Sequence, residues 1–353
     1  MPESTRRRSR ASRGGQCCTI KDVAERAGVS TATVSRALSG GSVREDLKKR
    51  VIEAAQALKF RPNRAARNLR AGSTRTIGVL IPDIENPFFT SVICGIEEVV
   101  QAAGYSLLLA NFNESPERER ALLAAFHAEG VAGLIFTASC SLTSQYQPMI
   151  EAGIPMVAVS RLPGRLKVDQ VTVANEEGAR VAVAHLIGLG HKRIAMINGP
   201  VNVSTAEERQ RGYERAFLDA GLRVPEDLTV HCDFRQNAGF AAVSELLERS
   251  RRPTAIFAAS NLLTLGALEA IHQLDLKIPE DVAIVGFDDM AWAKSLRPPL
   301  TTVAQPALEV GRSAARMLLE RIQQPDTPRR QVVLETTLIV RASCGAGHAS
   351  AKT

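Results

Sequence analysis

The stretch PNRAARNLRAG, residues 62–72, sets Arg64, Arg67 and Arg70 around one large apolar side chain, Leu69. Guanidinium groups want water or phosphate, and the alanines and arginines favour a short helix that Asn63 can cap and Gly72 can end. A lone leucine is no apolar stripe, so such a helix has little to bury against a core of its own. A second set of groups lies upstream, where TIKDVAERAG and VSTATVSRAL meet at AGVS with the spacing of a helix-turn-helix. The second helix of such a pair lies in the major groove of DNA. Its outer face offers Thr31, Ala32, Ser35 and Arg36. Arg36 is the residue there able to grip guanine O6 and N7 with two hydrogen bonds. Thr31 and Ala32 suit a thymine methyl, and Thr33 and Ser35 suit phosphate, which sets register and not sequence. Thr19 and Ser30, at the two helix starts, complete this DNA-binding set.

A third set follows from where ligands bind in open α/β sheets, just beyond the carboxyl ends of strands. Asp83 and Asn86 follow one apolar run, Ser160 and Arg161 a second, Phe234 a third, Ser260 and Asn261 a fourth and Asp288 a fifth. An aromatic wall with converging hydroxyl, amide and carboxylate groups suits a sugar-like ligand.

Elements of two kinds must hold these groups. Residues 19–60 read as three short helices with one small shared core. Thr19 caps the first, with Asp22 three residues on and Gly28 as its stop, and Ser30 caps the second. In the third, Leu47, Val51, Ala54, Ala55 and Leu58 recur at helical spacing. From residue 76 the texture changes to β-rich runs alternating with amphipathic helices. The runs are TIGVLIP, SLLLANF, AGLIFTAS, PMVAVS, RIAMING, LTVHCDF, TAIFAAS and VAIVGFDD. This alternation predicts parallel sheets with helices on both faces, in two lobes because the region is long for one sheet.

Charge divides the chain in the same way. Residues 1–75 hold 18 Lys and Arg against 6 Asp and Glu, whereas the remainder holds 26 against 31. A basic N-terminal module ahead of a mildly acidic body points to a polyanion partner read by the N-terminus. The tail 1–18 is expected to be disordered, either a solvated arm or a source of nonspecific phosphate binding. The six cysteines fit no zinc motif and no CxxC pair, so a reduced chain with no metal and no cofactor is expected. The opening MPESTRRRSRASRGG lacks the apolar segment of an export signal, and no run reaches membrane-spanning length, so a cytoplasmic, nucleoid-associated location with no membrane contact is expected.

TIKDVAERAGVSTATVSRALSG, followed by FRPNRAARNLRAGSTRTIGVLIPD, resembles the lactose/galactose repressor (LacI/GalR) family of bacterial transcription regulators. The resemblance runs over residues 19–345. HLIGLGHKRIAMINGP, VAIVGFDD and RPPLTTVAQP add to it, although those later blocks also occur in related sugar-binding proteins. It implies a helix-turn-helix domain at 19–61 and a hinge helix at 62–72. It implies a core of two subdomains, 75–173 with 307–334 and 174–303 with 335–345, before a tail at 346–353. It further implies that the hinge helix pairs with its twin in a homodimer and enters the minor groove. There Leu69 acts as a wedge that unstacks base pairs, with Asn63, Arg64, Arg67 and Arg70 beside the backbone. The partners are then near-palindromic operator DNA and a small effector in the cleft, a sugar or sugar derivative.

By the same resemblance Asn86, Phe89, Phe234 and Asp288 fall at ligand-contacting positions. Three positions depart: relatives carry Asp at Ser160, Arg at Glu207 and Asn-Asp at Ser260–Asn261. Arg161 then either faces an acidic sugar or sugar phosphate, or pairs with Glu207 and stays structural. In the third helix SVREDLKK departs from the usual start, and Ser42 is expected to take over its cap with Glu45. Phe88 is assigned to the core, Trp292 to packing or ligand wall, and His185 and His191 to a helix end and a loop. LRPPLTTV reads as a rigid crossover between lobes. The C-terminus shows no leucine heptad, which favours a dimer over a tetramer.

The reading is therefore a sequence-specific regulator of carbohydrate genes, a repressor and not an enzyme, whose effector acts as inducer or corepressor. The alternatives are a sugar-binding protein without DNA and a regulator of this fold with a non-sugar corepressor. A cofactor-dependent oxidoreductase is disfavoured, because the chain has no GxGxxG after its first strand, no P-loop and no nucleophile elbow.

Overall fold

The computed structural model describes residues 18–38, 41–60, 74–140, 143–164 and 166–346. They belong to two compact units, one within residues 1–73 and one from Thr74 onward. Asn63, Arg64, Arg67, Leu69 and Arg70 lie outside the described residues, as do residues 1–17 and 347–353.

The first unit holds α1 (Ile20–Ala27), α2 (Thr31–Leu38) and α3 (Glu45–Ala57). The start of α1 is set by Thr19, whose backbone N–H and hydroxyl both donate to the Asp22 carboxylate at 2.7 and 2.8 Å. Its end is set by Gly28, whose φ of 64° is the left-handed conformation that glycine adopts without steric cost. Arg50 on α3 donates to the Ala27 carbonyl, one of the acceptors that a helix end leaves without a partner. Ser30 Oγ then accepts the Thr33 N–H at 3.1 Å and opens α2. The expectation for α3 is corrected: its N-cap is Arg44, not Ser42, and no side chain caps it. The acidic pair Glu45 and Asp46 meets the positive end of the helix dipole instead, and Asp46 is bound by Arg44 at 2.8 Å. Val23, Val34 and Val51 form a sealed centre flanked by Ala24, Ala27, Ala37, Ala54 and Ala55. Alanine at the crossings lets three short helices approach closely enough to share that core.

The second unit is built on two six-stranded sheets. The N-lobe sheet runs β11 (Gln331–Leu334), β5 (Asp169–Val173), β4 (Met156–Val159), β3 (Gly133–Phe136), β1 (Thr76–Ile81) and β2 (Ser106–Asn111). All its pairings are parallel. The C-lobe sheet runs β12 (Thr337–Ile339), β10 (Thr301–Ala304), β9 (Ala283–Phe287), β8 (Ala255–Ala258), β6 (Ile194–Asn198) and β7 (Thr229–His231). It is parallel except for β12, which runs antiparallel to β10 along the edge. Strands β1, β3, β4, β6, β8 and β9 carry no exposed residue and read as unbroken apolar runs, as strands covered on both faces must.

The chain passes between lobes three times: from β5 at Val173 to α7 (Asn175–Gly188), from β10 at Ala304 to α11 (Ala307–Gln323), and from β11 to β12. The expected crossover LRPPLTTV is not one of them. It runs within the C-lobe into β10, and the crossing itself is made by Gln305 and Pro306. Strands β5, β10, β11 and β12 also lie outside the eight runs marked in the sequence.

Helices cover the sheets in closely packed pairs. In the N-lobe α4 (Pro87–Ala102) crosses α11, and in the C-lobe α7 crosses α8 (Ser204–Asp219) and α9 (Gln236–Glu248) crosses α10 (Asn261–Gln273). A glycine permits each crossing. A Cβ added at Gly311 would lie 2.0 Å from the Val92 carbonyl oxygen, and at Gly212 or Gly266 it would lie 2.1 Å from those of Glu176 or Gln236. The clash is with backbone, so the helices themselves would have to separate. α5 (Pro116–Glu129) and α6 (Gln147–Glu151) complete the N-lobe. No described helix is long and apolar enough to cross a membrane.

Gly311→Ala is expected to lower stability by about 1–3 kcal/mol through overpacking. Gly188→Ala, at the end of α7 where an added Cβ meets nothing within 4 Å, should be neutral or gain up to about 1 kcal/mol. Urea unfolding midpoints of the two variants check the contrast.

Candidate nucleic-acid interface and ligand cleft

In the first unit, Val34 and Ala37 turn one face of α2 into the core. The opposite face leaves Thr31, Ala32, Ser35 and Arg36 exposed. Their side chains are short except for Arg36, whose Nε lies 3.5 Å from the Ala32 carbonyl oxygen. A helix with this profile lets its backbone approach a groove while one guanidinium reaches further in. The hydroxyls of Thr33 and Ser30 bond each other at 2.9 Å, and that of Thr19 is engaged by Asp22. These three therefore hold helix starts as well as lying beside the exposed face.

In the second unit the carboxyl ends of the strands of both lobes meet. Asn86 caps α4, its Oδ1 accepting the Phe88 N–H at 3.0 Å. The same oxygen accepts from Asn261 Nδ2 of the C-lobe at 2.8 Å. The Asn261 backbone N–H donates to Asp288 Oδ2 at 3.1 Å, and Gln305 of the crossover donates to the other Asp288 oxygen. Ser260 Oγ accepts the Leu263 N–H and caps α10. One network thus ties together N-lobe, C-lobe and the crossover at Gln305. Ser160 and Asp288 both hold left-handed backbone, with φ of 63° and 80°, at the strand ends where the chain turns into the cleft. Such conformations cost energy in residues other than glycine and cluster at functional sites. Asp83 is buried and folds back on the Glu85 N–H at 2.9 Å.

Further contacts cross the cleft. Arg161 of the N-lobe stands over the Phe234 ring of the C-lobe, 4.8 Å from its centroid. Asn113 Oδ1 accepts from Arg235 at 2.9 Å, and Ser204 Oγ accepts the Leu162 N–H at 2.9 Å. The far end of the Phe234 ring abuts Gly199, where an added Cβ would lie 2.0 Å from Cζ. Beside the crossover a cavity of about 390 Å³ opens, walled by Phe88, Asp288, Asp289, Met290 and Gln305 among others. Of the ten residues named from sequence for the effector, only Asp288 lines it.

Several assignments change. Glu207 is exposed, because the buried face of α8 carries Ala206, Arg209, Gly212 and Tyr213. Arg161 pairs with Glu114 and not with Glu207, through two bonds of 2.6 and 2.8 Å. Phe89 is sealed in the N-lobe core; Phe88 belongs to that core as expected and also lines the cavity. Trp292 packs on the C-lobe core, and His185 in the last turn of α7 and His191 in the loop after it lie where expected, contacting Cys344 and Thr254.

The sequence reading missed Arg209. Its guanidinium is buried, stacks 3.8 Å from the Phe287 ring centroid, and donates to Asn175 and to the Ala259 carbonyl. Burial lowers its pKa to about 10, against the favourable field of Asp288, so it stays charged at neutral pH. Burial raises the Asp288 pKa, and Arg209 is the first of the groups that oppose this. The helical phase of α8 was the available signal, since Arg209 and not Glu207 shares a face with Gly212. Five buried polar side-chain atoms have no partner among the described residues: Arg193 Nε and Arg330 Nε ahead of strands, and Thr137 Oγ1, Asn198 Oδ1 and Asn261 Oδ1 at or just past the carboxyl ends of strands.

Residues 19–63 match the family model described as bacterial regulatory proteins, lacI family, and residues 183–344 match that of a periplasmic binding protein-like domain. The HTH-type transcriptional repressor PurR of Aliivibrio fischeri is 37% identical over 330 residues, covering 92% of this chain and 98% of its own. A transcriptional regulator CelR–cellobiose complex is 34% identical with a TM-score of 0.72, covering 92% of this chain and 99% of its own. The Lac repressor dimer bound to operator and the anti-inducer ONPF is 27% identical with a TM-score of 0.83, covering 93% and 99%. A helix-turn-helix unit that exposes α2, a two-lobed core whose strand ends converge on Asp288, and full-length similarity to such repressors lead to one conclusion: this chain belongs to the lacI family of bacterial regulatory proteins, as a helix-turn-helix transcriptional repressor with a ligand-binding core.

Proposed function

We propose that the chain works as a cytoplasmic homodimer that represses carbohydrate genes, and that its cleft takes a sugar or sugar derivative. The observation that supports the ligand most directly is the set of buried polar atoms without protein partners at the strand ends, Thr137 Oγ1, Asn198 Oδ1 and Asn261 Oδ1. Buried polar groups are nearly always bonded, so orphans gathered at the ends of parallel strands are suited to a ligand's hydroxyls. Phe234 supplies an apolar surface for C–H faces, and Asn86, Asn261, Asp288 and Arg209 supply donors and acceptors of both kinds. The similar regulator CelR holds cellobiose and the similar Lac repressor binds its operator as a dimer, which agrees with this reading.

The mechanism follows from the contacts across the cleft. Arg161 covers Phe234 from the opposite lobe, so a ligand gains the ring only when the lobes part or shift. A ligand that bonds Asn86 and Asn261 differently from their mutual bond favours one lobe angle over another. A change of that angle is the means by which the ligand alters operator affinity. In α2, Arg36 reads a guanine, and Thr31 and Ala32 read a neighbouring thymine methyl.

A thermal-shift screen of sugars, sugar acids and sugar phosphates should find a ligand that raises the melting temperature by mass action. Phe234→Ala and Asp288→Ala should each abolish that rise. Full responses in both variants would remove the cleft from consideration. In gel shifts on the operator, Arg36→Ala should cost about 1–3 kcal/mol and relax specificity at one base position. A loss of equal size on random DNA would instead make Arg36 a phosphate contact.

A further inference from the structure

We infer that Glu114 selects the charge of the effector: by neutralising Arg161 inside the cleft it commits the site to an uncharged, hydroxyl-bearing ligand and excludes carboxylates and phosphates. This rests on the reading of the cleft as the effector site.

Arg161 is 5% exposed, and its guanidinium is held bidentately by Glu114 at 2.6 and 2.8 Å. The geometry is the fork-to-fork pairing by which arginine recognises a carboxylate or a phosphate. A ligand anion would need the same two N–H groups. To take them it would have to displace Glu114, whose side chain is only 24% exposed, and leave that carboxylate unpaired beside a second negative charge.

A second buried guanidinium, Arg209, gives its hydrogen bonds to Asn175 and the Ala259 carbonyl and is balanced by a carboxylate through space. Arg209 is buried, and Asp288 provides the largest favourable field on it. Arg161 and Arg209 also act on each other, Arg161 making the charge on Arg209 harder to keep. Two convergent guanidinium groups form an anion site by themselves. The bidentate Glu114 on Arg161 and the field of Asp288 on Arg209 offset it. A neutral hydroxyl meets no such conflict. A carboxylate has about four acceptor sites, and Arg161 occupies two of those on Glu114, so a ligand O–H can donate to the remainder without breaking the pair.

The placement of Glu114 is built in. Asn113 and Glu114 hold consecutive left-handed conformations, with φ of 53° and 58°, directly after β2. Neither is glycine, so the turn is strained. It aims Glu114 at Arg161 and, one residue earlier, Asn113 at Arg235 of the facing lobe.

The experiment is calorimetric titration of the full chain and of Glu114→Gln. The probes are inorganic phosphate and the matched pairs D-ribose with D-ribose 5-phosphate, D-glucose with D-glucuronate, and cellobiose with cellobionate. In the wild-type chain the neutral member of any responding pair should bind at least about tenfold tighter than its anionic partner, since the anion must break a bidentate ion pair. In Glu114→Gln, phosphate and the anionic members should gain at least about tenfold, with a gain that falls as salt rises. Adding Arg161→Met to that variant should remove the gain. A wild-type preference for the anionic member overturns the inference. So does a folded Glu114→Gln chain with no gain for phosphate, a result that decides the matter even where no sugar pair responds. The wild-type ratio stands as evidence should the variant fail to fold. Failure of the cleft reading shows separately, as a sugar response that survives Phe234→Ala and Asp288→Ala while phosphate still gains in Glu114→Gln.

Discussion

Asn261 is where the three parts of the core meet. Its amide bonds Asn86 of the opposite lobe, its backbone N–H bonds Asp288 at the end of β9, and through Asp288 it reaches Gln305 on a crossover. A buried carboxylate such as Asp288 is tolerable only when hydrogen-bonded and faced by a cation. Asn261, Gln305 and Arg209 meet that demand from three different elements. The relative position of the lobes is therefore coupled to the solvation of one acid. Any molecule that replaces part of that solvation changes the cost of the lobe arrangement, which is the physical content of effector control.

Stability and responsiveness are separated in space. Each lobe is a sheet, parallel but for β12, whose central strands are buried under helices locked by glycine crossings, with side chains such as Ile77, Leu134, Phe257 and Phe287 fully excluded from water. Such packing is close to all-or-none and deforms little. The contacts between lobes are of another kind: single hydrogen bonds, one cation over a ring, and three short crossovers. A rigid pair of bodies joined by a few polar contacts shifts as a unit, which suits a device that converts ligand occupancy into a change of angle.

Charge arrangement narrows what that device accepts. In the cleft Arg161 is paired with Glu114 and the buried Arg209 lies in the field of Asp288, so specificity is set as much by what is already satisfied as by what is left open. The DNA-reading unit works by the opposite principle, with an exposed face of α2 that carries Arg36 and suits a polyanion.

The sequence by itself determined the three helices of the first unit, their capping by Thr19, Ser30 and Gly28, and the exposed face of α2, because those features depend on residues within a few positions of one another. It also determined the alternation of buried strands and helices, since a strand covered on both faces is apolar throughout. Strands β5, β10, β11 and β12 were illegible: DQVTV, TTVA, QVVL and TLI are short and mixed in polarity, and their partners are distant in the chain. Only the tertiary structure decided that Arg161 pairs with Glu114, 47 residues away, that Arg209 and not Glu207 faces inward, and that Phe88 and not Phe89 meets the cavity. Those outcomes turn on helix phase and on which elements become neighbours, and a long polar side chain carries no local signal of the partner it will find.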